Sequence, residues 1–107
     1  MPATSRLPEP QAERIDARVT GRVHGVGFRY FVLREAHALG LVGWVANVPD
    51  GSVRCVAEGT RPRLDELVDR LREGPPAAIV ANVSVAWMPA TGAFSAFGVR
   101  SGAHRGD

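Results

Sequence analysis

Arg29 closes a short segment, His24-Gly25-Val26-Gly27-Phe28, in which two glycines are separated by a single residue. Glycine loses more backbone freedom on folding than any other residue, so such a pair either shapes the backbone for a purpose or makes a tight turn. Glycines let successive backbone N–H groups converge into a concavity that suits anionic oxygens. An arginine beside that concavity adds a planar, permanently charged fork to the same anion. The chemistry on offer is the binding of a phosphate-like group. The plain alternative is a turn followed by a solvated helical arginine. A cation at a helix N-terminus is disfavoured by roughly 0.3 kcal/mol or more, and an anion placed between the two would remove that conflict.

Asn47 is the second candidate. Its amide both donates and accepts hydrogen bonds, which suits the orientation of a water molecule, but it is no general base at neutral pH. Asparagine is also favoured around turns, and simple hairpin chemistry would account for it equally well. Other chemistries find no footing. No Lys-Ser/Thr follows the last glycine of the loop, and Tyr30 stands where a dinucleotide fingerprint needs its third glycine. His24, His37 and His104 are scattered, Cys55 has no C-x-x-C partner, and no cluster has metal-ligand spacing. Cys55 lies in an apolar strand-like run and reads as a small core residue rather than a nucleophile. No Ser-His-Asp set is evident.

The elements that must hold these residues follow from periodicity. Ile15, Ala17 and Val19 alternate with polar neighbours and read as a first strand reaching Val23. Phe28, Val32, Ala36 and Leu39 recur at helical spacing, with Gly40 as the stop. Residues 41–48 and 52–59 form two further strands around the turn Pro49-Asp50-Gly51. Thr60 is placed to cap a second helix with Pro62 in its first turn, an apolar stripe of Leu64, Leu67, Val68 and Leu71, and an end at Gly74-Pro75. Ile79, Ala81, Val83, Val85 and Trp87 alternate as a fourth strand, and Phe97 and Val99 fall in a last short one. The fold class is therefore α+β, a ferredoxin-like βαββαβ sandwich: an antiparallel sheet, two helices on one face, and a short extra C-terminal strand. In a βαβ crossover the two strands run parallel, so their C-terminal ends share one edge of the sheet. That brings Asn47 towards the glycine loop.

Composition bounds the rest. The 107 residues suffice for one core, with residues 13–100 as the domain, a disordered lead over 1–12 holding three prolines, and a flexible tail over 101–107. Net charge is only +2, and all thirteen basic residues are arginine, which codon bias explains more simply than an anion-binding surface. No apolar run approaches a membrane span, no signal-peptide pattern opens the chain, and a lone cysteine does not ask for an oxidising compartment. A cytoplasmic monomer with no membrane partner is the expectation.

The segments "GRVHGVGFR" and "LGLVGWVANVPDGSVRCVAEG", with Gly74-Pro75 and the terminal "FGVR", resemble the two signatures and the flanking features of the acylphosphatase family over about residues 15 to 100. The resemblance implies hydrolysis of the carboxyl-phosphate bond of small acyl phosphates, without metal or organic cofactor. Arg29 and Asn47 match the family's conserved arginine and asparagine, and His24, Gly25, Val26, Gly27 and Phe28 match its phosphate loop. His24 departs from the glutamine common at its position, and Ala46 from a common basic residue. Two rivals remain: a non-catalytic module of the same fold, such as an RNA reader using Trp44, Phe97 or Trp87 on its sheet, and a domain associated with a larger acyl-transfer enzyme. The aromatics read better as core and edge packing, and no nucleic-acid partner is expected.

Overall fold

The apolar alternation of the first strand and the two helical stripes are complementary, and they close on each other in the computed structural model, which describes residues 11–101. The elements are β1 (Glu13–Arg22), α1 (Phe28–Ala38), β2 (Val42–Asn47), β3 (Val53–Gly59), α2 (Arg61–Glu73), β4 (Ile79–Pro89) and β5 (Phe97–Arg100). All but residues 11, 12 and 101 of the expected lead and tail lie outside the described residues. Ile15, Ala17 and Val19 of β1, Val53, Cys55 and Ala57 of β3, and Val45 of β2 are buried against Phe28, Val32 and Ala36 of α1 and Leu64, Leu67 and Leu71 of α2. Each fully buried aliphatic or aromatic side chain contributes roughly 1.5–3 kcal/mol of transfer free energy. Burial of Cys55 pushes its thiol up to about 12, so it is the inert core residue its strand position suggested.

The sheet has the order β4-β1-β3-β2-β5. Its first four strands pair antiparallel, as the ferredoxin-like pattern requires, whereas β5 joins β2 in parallel and makes the sheet mixed. To reach that far edge the chain must cross the open end of the sheet over residues 90–96. Glu58, only 4% exposed, anchors the crossing: it accepts the Thr91 N–H at 3.0 Å, the Gly92 N–H at 3.0 Å, the Thr91 hydroxyl at 2.9 Å and Arg14 Nε at 2.7 Å. Burial alone would raise the Glu58 pKa, but these donors outweigh it and bring the carboxyl down to about 2.

Two local expectations are corrected. In β4 the alternation slips by one residue: Thr20 pairs with Asn82 but Gly21 pairs with Val80, so Ala81 is an extra residue in a bulge. Val80, not Ile79 or Ala81, therefore packs on the core, and Ile79 is left 61% exposed. Gly21 makes this possible. Its φ of +126° and the approach of the Ile79 carbonyl oxygen leave no room for a Cβ. Thr60 is the N-cap of α2 by position, in an extended conformation, yet its side chain makes no capping hydrogen bond; Pro62 in the first turn removes one of the N–H groups a cap would serve.

Candidate active site

The chain leaves β1 at Arg22, turns through residues 23–27 and enters α1 at Phe28. Gly25 and Gly27 have φ of +70° and +77°, while Val26 between them has negative φ. This alternation of sign is the backbone pattern that aims successive N–H groups to one side. Neither glycine has a neighbour that a Cβ would meet, so conformation rather than crowding demands glycine there. The first backbone bond of α1 runs from the Phe31 N–H to the Gly27 carbonyl at 3.0 Å. Helix geometry leaves the N–H groups ahead of Phe31 without intrahelical partners, at the end where the dipole favours negative charge. No acidic residue occupies the first turn of α1. Phe28 is buried and packs edge-on against Phe31 at 5.8 Å, which pins the helix start to the core.

A cavity of about 220 Å³ opens over this turn, lined by Val23, Gly25, Gly27, Phe28, Arg29, Tyr30 and Asn47. Topology thus does what the crossover argument required, and the end of β2 meets the loop that follows β1. Of the loop residues singled out in the sequence, Gly25, Gly27 and Phe28 line the cavity beside Arg29 and Asn47. Val26 instead packs on the core, and the imidazole of His24 turns to the hairpin, with Nε2 2.7 Å from the Ser52 carbonyl oxygen. Sequence reasoning missed Val23 and Tyr30 as lining residues; their only signal was adjacency to the loop. Among the described residues, the lining contains no carboxylate and no imidazole.

The hairpin that carries Asn47 is tightly tied. The Val48 N–H donates to the Ser52 carbonyl at 2.8 Å and the Gly51 N–H to the Val48 carbonyl at 2.9 Å. Ser52 donates to one oxygen of Asp50 from its backbone N–H at 2.9 Å and its hydroxyl at 2.6 Å. Arg18 Nη1 donates to both the other Asp50 oxygen and the Ser52 hydroxyl, each at 3.0 Å. The Ser52 hydrogen bonds, ahead of the Arg18 charge, hold the Asp50 carboxyl below its ordinary range.

A second cavity, of about 270 Å³, lies on the helix-free face and is lined by Arg18, Trp44, Ala46, Asn47, Val48, Arg54 and Arg100. Arg54 is bound to both oxygens of Asp16, at 2.9 and 2.6 Å, an interaction that lowers the Asp16 pKa and raises that of Arg54. The Arg54 and Arg100 guanidinium groups lie 5.3 and 4.5 Å from the Trp44 ring centre. Of the three aromatics an RNA reader would need, Phe97 is buried, Trp87 packs on the core beneath Arg61 at 3.7 Å, and Trp44 alone lies on the open face. Among the described residues no three His, Cys, Asp or Glu side chains are grouped as metal ligands would be, and no helix is long and apolar enough to cross a membrane.

The fold is a five-stranded ferredoxin-like α+β sandwich in which a glycine turn, an arginine and a strand-end asparagine surround one cavity. The acylphosphatase family model matches residues 15–99. An acylphosphatase from Salinibacter ruber is 50% identical over 88 residues, which is 82% of this chain and 93% of that relative. The crystal structure of an acylphosphatase from Bacillus subtilis superposes with a TM-score of 0.80 at 38% identity, covering 82% of this chain and 98% of that one. Full-length HypF in its phosphate- and nucleotide-bound form matches with a TM-score of 0.81 at 26% identity, over 91% of this chain but only 13% of that protein. The chain belongs to the acylphosphatase family, and it is a hydrolase.

Proposed function

We propose that the chain hydrolyses small acyl phosphates in the cavity between the glycine turn and Asn47. The observation that carries this is the convergence on one cavity of left-handed Gly25 and Gly27, the start of α1, Arg29 and Asn47. The phosphoryl group sits on the loop N–H groups from His24 to Phe28, with Arg29 supplying the compensating charge. Asn47 orients a water in line with the bond to be broken. The water oxygen bonds to phosphorus as the phosphorus–oxygen bond to the acyl group breaks, and that electron pair leaves on the carboxylate. A carboxylate is a good leaving group and needs no protonation, so positioning and charge stabilisation supply most of the acceleration. Among the described residues the lining offers no carboxylate or imidazole base, and the water proton passes to a phosphoryl oxygen of the substrate itself.

No step of this mechanism calls for a metal. Release of inorganic phosphate from benzoyl phosphate, with and without a chelator, is the test. Wild-type turnover should be unaffected by the chelator, and Asn47→Ala should lower kcat by about 100-fold, the usual cost of one oriented hydrogen-bonding group. Turnover that depends on metal, or an Asn47→Ala variant as fast as wild type, would contradict the reading.

A further inference from the structure

The reading above needs the phosphate cradle and Asn47 to keep a fixed separation, although they belong to different segments. Gly25 and Gly27 give the turn wide conformational freedom, so something must select one arrangement of it. The Ser52 carbonyl is a suitable anchor. It accepts the N–H of Val48, the residue after Asn47, at 2.8 Å, and Ser52 itself is buried and held by Asp50 and Arg18. The same carbonyl lies 2.7 Å from His24 Nε2. A carbonyl oxygen only accepts, so Nε2 carries the proton in this contact. One oxygen is thereby shared between the first residue of the phosphate loop and the residue that follows Asn47.

We propose, resting on the proposed function, that His24 is a positioning residue for the hydrolysis: its Nε2–H bond to the Ser52 carbonyl sets the distance between the phosphate cradle and the water held by Asn47. Its imidazole is not among the groups that line the cavity. A glutamine here would also present an amide N–H at the end of its side chain and can restore the link.

Three full-length proteins decide the matter: wild type, His24→Gln and His24→Leu, assayed for kcat and KM on benzoyl phosphate, with melting temperatures alongside. His24→Leu keeps the bulk and loses the donor. Its kcat should fall about 10- to 30-fold with KM changed less than about 3-fold, because the phosphate is still bound but the water is misplaced, and ångström-scale misplacement costs up to about 100-fold. His24→Gln should stay within about 3-fold of wild type in both, and the melting temperatures of the two variants should agree. Equal kcat in Leu and wild type, equal loss in Leu and Gln, or a loss confined to KM would overturn the proposal. Ring ¹⁵N shifts of wild-type His24 give a readout that needs no turnover. A protonated Nε2 is expected, and a bare Nε2 overturns the bond itself. A wild-type enzyme without turnover would instead sink the hydrolysis mechanism, leaving the ring measurement to decide the contact.

Discussion

Two cavities meet at Asn47, of about 220 and 270 Å³, and they are built in opposite ways. The one on the open sheet face has three arginines, Arg18, Arg54 and Arg100, around a tryptophan. Its charges are committed: Arg54 to Asp16, Arg18 to Asp50, and Arg100 to the Trp44 ring. The other has a single arginine in its lining, but it adjoins a left-handed glycine turn and a helix start, a backbone pattern that favours converging N–H groups. Counting cations would choose the open face. The proposed mechanism favours the loop instead, because oriented backbone dipoles that need no rearrangement act on an anion more effectively than mobile side chains already paired.

The sharpest way to break this contrast is to remove one arginine from each side. Arg29→Ala should lower kcat/KM on benzoyl phosphate by about 1,000-fold, as loss of a charge-stabilising arginine does in phosphoryl transfer, with circular dichroism unchanged. Arg100→Ala should stay within about 3-fold of wild type. Comparable losses in the two would show that the open face takes part in the reaction.

Glu58 probes the open face from its structural side. Glu58→Gln should leave activity near wild type and destabilise by about 2 kcal/mol, since a buried acceptor of charged and neutral donors is weakened. The pH dependence has a defined sign. The carboxyl titrates near 2 when folded and near its ordinary 4.5 when unfolded, so its contribution is complete above pH 4.5 and is lost as pH falls to about 2. Chemical denaturation at pH 7 and pH 3 should therefore show the gap between wild type and Glu58→Gln narrowing in acid. A gap that widens there would contradict the assignment.

Much of this architecture was legible in the chain because its signals are local. The stripe of Leu64, Leu67, Val68 and Leu71, the Pro49-Asp50-Gly51 turn and the alternation of β1 each specify their element without distant help. Gly25, Gly27, Arg29 and Asn47 could be brought together by one topological rule, the shared edge of parallel strands in a crossover. What stayed hidden depends on contacts between remote segments. The bulge at Ala81 arises because Gly21 lets the β4 backbone approach, and nothing in the run Ile79–Pro89 marks the slip. Glu58 looks like an ordinary strand carboxylate until residues 91 and 92 fold over it. The bond of His24 to Ser52 spans 28 residues and ends on a backbone oxygen, which no side-chain motif records.

The contrast between the two cavities is tested most directly by titrating the ¹⁵N-labelled full chain with inorganic phosphate and following its amide resonances. Saturable shifts should centre on the backbone amides of Gly25, Val26, Gly27, Phe28 and Arg29 and on the side-chain amide of Asn47, with the Trp44 indole and the Arg54 and Arg100 signals unmoved. Shifts centred on Trp44, Arg54 and Arg100, with the loop amides still, would contradict the account.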